Sequence, residues 1–182
     1  MSKVYAMIAD GTEEVECLTV VDLLRRARIE TVLVSVCGKQ ITTSHNIKIT
    51  ADKTADEVDL TGADMIFLPG GMPGSEHLAK CGKLIDAIDK QLKSNKHVAA
   101  ICAAPAVVLG ANGFLRGKNA VCFPGFEDGC VGANIQPGAR VVTDGNITTS
   151  RGMGCAVDLG LQLIKLLEGE QKAATVKNAI QY

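Results

Sequence analysis

The chain has 182 residues, a formal net charge of −1, 47% apolar residues and 21% charged residues. That length and balance fit a single domain over residues 1–182 with a substantial core, and they exclude a disordered chain. The basic residues form no extended stripe interleaved with aromatics, which argues against nucleic acid as a partner, and no apolar run is long enough to span a bilayer.

The first residues pass from Ser2-Lys3 straight into a strand-like run, without the apolar core and cleavage site of a leader. Residues 4–8 form that short buried strand. Over residues 14–27, Val15, Leu18, Val21 and Leu24 recur at helical spacing. Residues 31–36 form the next strand. Residues 41–50 alternate polar and apolar side chains, as a small hairpin does. Residues 64–68 make a strand that ends in Pro69-Gly70-Gly71. Residues 83–92 are amphipathic. Residues 98–101 make a further strand, and a helix begins at Pro105 and runs to 111. Residues 141–143 and 147–149 flank Asp144-Gly145-Asn146, a turn sequence. Residues 155–167 form a helix with an apolar face, and a short helix follows Gly169.

Continuous apolar strands alternating with helices imply an α/β fold with a mainly parallel sheet covered on both faces. Ligands in such sheets bind beyond the carboxyl ends of the strands. Three strand ends therefore hold the candidate site: residues 10–16, Pro69-Gly70-Gly71 and Cys102.

Cys102 sits between a strand and a helix whose first turn holds Pro105, with small neighbours Ala103 and Ala104. A turn that sharp is a nucleophile elbow, and a helix N-terminus there lowers a thiol pKa. The competing reading is a small buried hydrophobe. Gly70 and Gly71 supply free backbone N–H groups suited to an oxyanion, or simply a loop that needs glycine. Glu13, Glu14 and Glu16 cluster at a helix start, where capping is the ordinary role. Glu16 shares a face with Val20 that should look inward. Burial there raises a carboxyl pKa and suits it to hold or shuttle a proton. None of His45, His77 and His97 has a spacing that marks it as the base of a cysteine, and His97 reads as a surface residue. The seven cysteines are odd in number and scattered, with no metal-binding spacing, which fits a reduced cytoplasmic protein with free thiols.

Six segments taken in order resemble the ThiJ/PfpI superfamily, in the deglycase branch linked to Parkinsonism. They are G-T-E-E-V-E at 11–16, V-D-L-L-R-R-A at 21–27, L-P-G-G-M-P-G at 68–74, A-A-I-C-A-A-P at 99–105, F-P-G-F-E-D at 123–128 and T-S-R-G-M-G at 149–154. The resemblance implies a flavodoxin-like three-layer sandwich and a homodimer. It implies Cys102 as the elbow cysteine with Glu16 beside it, and N–H groups of Gly71 and Ala103, next to Gly70, as an oxyanion pocket. It places Val15, Arg26 and His45 at a dimer interface near the site. The implied activity is a glyoxalase or deglycase acting on small dicarbonyls such as methylglyoxal, or on glycated adducts, with no metal and no organic cofactor. The alternatives are a redox sensor or chaperone built on a Cys102 sulfinate and, more weakly, a cysteine peptidase. Some relatives carry a histidine directly before the proline at 124. Phe123 stands there instead, which counts most against the peptidase. Cys17, next to Glu16, is a further candidate to resolve an oxidised Cys102.

Overall fold

The computed structural model describes residues 2–182. In chain order, β1 (Lys3–Ile8) leads into α1 (Glu14–Arg26), β2 (Glu30–Ser35), a hairpin of β3 (Gln40–Thr42) and β4 (Lys48–Thr50), and a short β5 (Lys53–Thr54). Next come β6 (Met65–Leu68), α2 (Gly74–Lys80), α3 (Gly82–Lys93) and β7 (His97–Ile101). Beyond a helical segment at Pro105–Gly110 lie β8 (Asn119–Ala120), β9 (Asn134–Ile135), β10 (Val141–Asp144), β11 (Ile147–Ser150), α4 (Ala156–Glu168) and α5 (Glu170–Ala179).

Seven strands form the main sheet in the order β10-β11-β7-β6-β1-β2-β5. All neighbours are parallel except β10 and β11, which form an antiparallel hairpin at one edge. Strand side chains alternate between faces. Val4, Ala6 and Ile8 of β1 therefore pack under α1, α4 and α5, with Phe67 and Ala99 beside them. Tyr5 and Met7 point to the opposite face, against Leu78 of α2, Leu84 and Ile88 of α3, and Val108. The result is the expected three-layer α/β sandwich with a core on each side of the sheet.

Helix α1 illustrates how the sequence sets the packing. Glu13 caps it, its side chain accepting from the Glu16 N–H at 2.6 Å, and Arg25 and Arg26 occupy the last turn, where cations favour the helix dipole. Cys17, Val20, Val21, Leu23 and Leu24 are buried. Val15 and Leu18, which the spacing grouped with the apolar stripe, lie 45% and 40% exposed on the outer side. The helix has apolar residues on two sides, and only the stripe through Val20 and Leu24 meets the sheet. The segment after Cys102 winds wider than an α-helix, with the Ala111 N–H reaching back to Ala106 O.

The strand order reverses at the centre of the sheet. From β1 the chain moves to β2 on one side, and β6 then returns to the other side of β1, followed outward by β7. A crevice opens at such a switch point beyond the strand ends. The first turn of α1 after β1 and the loops leaving β6 and β7 carry Glu16, Gly70 and Cys102 into that crevice. Among the described residues, no helix is long and apolar enough to cross a membrane.

Candidate functional site

Cys102 follows the last residue of β7 with φ of 66°, in the left-handed region that side chains other than glycine rarely adopt. Two backbone bonds hold it there. Its N–H donates to Ser150 O at 3.0 Å, and its carbonyl accepts from the Phe123 N–H at 2.8 Å. The first tethers the turn to the end of β11, the second to the segment after β8. Strain of this kind persists only where the surroundings over-determine it, and here it turns the thiol out of the strand toward the crevice.

Gly70 lies between the thiol and the carboxyl. Its N–H donates to Glu16 Oε2 at 3.0 Å, and its carbonyl accepts from the Glu13 N–H at 3.0 Å. A methyl group on the Gly70 Cα would sit 2.5 Å from Glu16 Oε2 and 2.6 Å from Cys102 Cβ. Only a residue without a side chain lets these two groups close on each other. Gly71, at φ of 90°, is equally confined: a Cβ there would meet the Glu13 N at 2.3 Å. The loop after β1 is pinned in turn by the hairpin, with the Gly11 N–H on Thr42 O and the Ser44 N–H on Thr12 O.

The Glu16 side chain is buried, 1% exposed. Burial pushes its carboxyl up to about 7, and the neighbouring Glu13 charge adds to this. The Cys102 thiol and the N–H groups of Gly70 and Met153 pull the other way. The Cys102 thiol is pushed up to about 12 by burial and by the Glu16 carboxylate it touches. The N–H groups of Ala103 and Gly71 act in the opposite sense. The helix-end effect expected from the sequence is thus present at Ala103, but the carboxylate and burial outweigh it. With the thiol intact and the carboxylate facing it, the pair is arranged for a proton to pass from sulfur to Glu16.

Sequence reading singled out Cys102, Glu16, Gly70, Gly71 and Ala103, and the structure brings all five together. Val15 and Arg26 lie elsewhere on α1; Arg26 Nε is bound to Asp22 Oδ2 at 2.6 Å. His45, on the hairpin, has Nδ1 3.0 Å from Glu14 Oε1. Burial raises the Glu14 carboxyl, but its own backbone N–H, His45 and Thr43 together outweigh burial and hold it below its ordinary value. Glu13, Glu14 and His45 are the one group of three metal-type donors close together among the described residues. Glu14 there is already satisfied by Ser44 Oγ and His45. His77 Nδ1 bonds the Asp10 carbonyl at 2.9 Å. His97 is half-buried rather than on the surface, and its Nδ1 is unpartnered among the described residues. Cys17 is fully buried, and burial with Glu13 and Glu16 pushes its thiol to about 12.

Two contributors had no role in the sequence reading, the N–H groups of Phe123 and Met153. Both lie in segments quoted as motifs, F-P-G-F-E-D and T-S-R-G-M-G, but main-chain donors leave no trace in side-chain identity. Phe123 and Met153 also line a cavity of about 370 Å³, together with Pro124, Arg140, Arg151 and Cys155. Arg140 is committed to Asp158 and the Gly154 carbonyl, whereas the Arg151 side chain has no hydrogen bond or ion pair among the described residues.

A strained cysteine elbow at the switch point of a flavodoxin-like sheet, with a buried carboxyl across a glycine, defines a class of α/β proteins. The chain belongs to the DJ-1/PfpI family, whose description matches residues 2–166. It is 36% identical over 180 residues to Protein DJ-1 homolog B of Arabidopsis thaliana, covering 97% of this chain but only 40% of that protein. It is 30% identical over 167 residues to a deglycase of Pyrococcus abyssi, covering 91% of this chain and 99% of that one. The solved structure of oxidized Toxoplasma gondii DJ-1 superposes with a TM-score of 0.95 at 34% identity, covering 100% of this chain and 99% of the other.

The raised Glu16 carboxyl makes stability depend on pH. Folded, it holds its proton up to about 7, while the unfolded chain releases it near 4.5. The folded state binds more protons between these values, so this contribution is full below 4.5 and is lost as pH rises through 7. Glu16→Gln removes it. Relative to wild type, the variant should gain on the order of 3 kcal/mol on going from pH 4.5 to pH 8, at about 1.4 kcal/mol per tenfold change in proton affinity. Urea unfolding of both proteins at the two pH values measures this, and an identical offset at both would contradict it.

Proposed function

We propose that the chain is a glyoxalase or deglycase-type enzyme that uses Cys102 and Glu16 on small dicarbonyls, without a metal or organic cofactor. The observation that carries this reading is the direct contact of the Glu16 carboxyl with the Cys102 thiol across Gly70. The deglycase name of the Pyrococcus abyssi relative supports it.

In this scheme the Cys102 sulfur attacks the aldehyde carbon of methylglyoxal as its proton passes to the Glu16 carboxylate. The C–S bond forms, and the carbonyl electrons move to an oxyanion that accepts from the Gly71 and Ala103 N–H groups. Protonation of that oxygen by Glu16 gives a hemithioacetal. Glu16 then takes the C1 proton, and an enediol forms. Return of the proton to C2 yields a lactoyl thioester. Water hydrolyses the thioester and restores the thiol. One carbon is oxidised and its neighbour reduced, so no external electron acceptor is needed. A glycated amine or thiol adduct follows the same path after releasing its dicarbonyl.

Purified protein should form lactate from methylglyoxal. Cys102→Ser should abolish turnover, and Glu16→Gln should lower it by about 100-fold or more, the usual size of a lost general base. Because the carboxylate is the reactive form, the wild-type rate should rise with pH through about 7. Absence of turnover with methylglyoxal, glyoxal and glycated amino acids alike would sink the reading.

A redox-sensor role is the second reading, favoured by the same N–H groups of Gly71 and Ala103, which suit the oxygens of a sulfinate as well as an oxyanion. The assembly that fits either role is a homodimer. Val15, Leu18, Ile47 and Met153 are large apolar residues, each at least 40% exposed, on α1, the hairpin and the loop before α4. Replacing Val15 and Leu18 together by Glu should convert a dimer to a monomer in sedimentation equilibrium. A wild type that is monomeric at micromolar concentration would rule the dimer out.

A further inference from the structure

Two cysteines outside the elbow meet in the loop that borders it. Cys122 follows β8 and Cys130 lies eight residues on. The intervening chain folds back through bonds from the Gly129 N–H to Phe126 O and from the Cys130 N–H to Glu127 O. Both cysteines are buried, each 3% exposed, in the same apolar cluster. Their thiols interact directly. The Cys130 end of the loop is also held from its other side. A Cβ on Gly110 would lie 2.1 Å from Gly129 O and 2.7 Å from Cys130 Cα, so the loop sits hard against the helical segment that follows Cys102. The cover is thin: Phe123, Pro124, Gly125, Asp128, Val131 and Gly132 are all exposed.

We propose that Cys122 and Cys130 form a dithiol that a hydroperoxide closes to an intramolecular disulfide, a redox site separate from Cys102. The chemistry follows from the contact of the pair: the S–H of one thiol stabilises a thiolate on the other, and Cys130 is taken as that thiolate. The Cys130 sulfur attacks one peroxide oxygen and the O–O bond breaks, leaving a sulfenic acid and, for hydrogen peroxide, one water. The Cys122 sulfur then attacks that sulfenic sulfur. The S–S bond forms, the S–O bond breaks, and a second water leaves with the Cys122 proton. Two thiols lose two electrons and the peroxide gains them. Because the Phe123 N–H holds the Cys102 carbonyl, the closed ring anchors the segment that braces the elbow.

The test is peptide mapping of the full chain after stoichiometric hydrogen peroxide, with free thiols alkylated under denaturing conditions. Trypsin leaves both cysteines in the peptide spanning residues 119–140, and cleavage after Glu127 separates them unless they are linked. The expected result is loss of about 2 Da from that peptide, with its two halves still joined after cleavage and released by dithiothreitol. The Cys102→Ser variant should form the same link, and Cys130→Ala should leave Cys122 alkylated, with circular dichroism verifying its fold. Full alkylation of both cysteines in wild type while Cys102 is oxidised, or a link from either to a different cysteine, would overturn the proposal. The wild-type map decides even if the variant fails to fold.

Discussion

A missing side chain at Gly70 is the constraint on which the site depends. The Glu16 carboxyl and Cys102 close on one Cα, with Glu16 Oε2 at 2.5 Å and the Cys102 Cβ at 2.6 Å from where a Cβ would stand. In the open such groups would be hydrated and independent. Here the carboxyl is cut off from water and braced by main-chain N–H groups, and its charge falls directly on the sulfur. Burial raises the carboxyl against the pull of the thiol, whereas burial and the neighbouring carboxylate together raise the thiol. A proton on Glu16 relieves the sulfur of a neighbouring charge, and a proton taken from sulfur has an acceptor already in place.

The sheet holds this arrangement rigidly. Gly70 and Cys102 follow β6 and β7, and Glu16 stands in the first turn of the helix that follows β1; these three strands are parallel neighbours, each buried on both faces. Their ends cannot shift without disturbing two cores at once. The positive φ of Cys102 is held between Ser150 and Phe123, which belong to segments far along the chain. The site is local in space and spread over the fold in sequence. The loop holding Cys122 and Cys130 is one of those braces, which links its redox state to the geometry of the elbow.

Much of this was legible in the residues. The strand and helix periods imply the α/β class, and the strand-end rule points to residues 10–16, 69–71 and Cys102. What was not legible has physical causes. Val15 and Leu18 fit a helical stripe as well as Val20 does, because spacing does not tell which of two apolar sides meets a sheet. The strands β5, β8 and β9, two residues each, are too short for a period. Helix α2 follows directly on the glycine loop and lacks a clear apolar face. The raised Cys102 thiol is not legible, because the helix end that lowers a thiol is plain in the residues whereas the depth of burial that outweighs it, together with Glu16, is a property of the fold. The contributions of Phe123 and Met153 are main-chain N–H groups, which any residue but proline would supply. Cys130 looked like one of seven scattered thiols, since its meeting with Cys122 depends on how the loop folds back.

The chemistry of the site turns on the protonation of Glu16. Selective ¹³C labelling of glutamate side chains, with the Glu16 signal assigned by comparison with Glu16→Gln, allows that carboxyl to be titrated directly by NMR. The arrangement around Gly70 requires a midpoint at about 7, and Cys102→Ser should change it because the thiol is a direct partner. A midpoint near 4.5 that is indifferent to Cys102 would contradict the account.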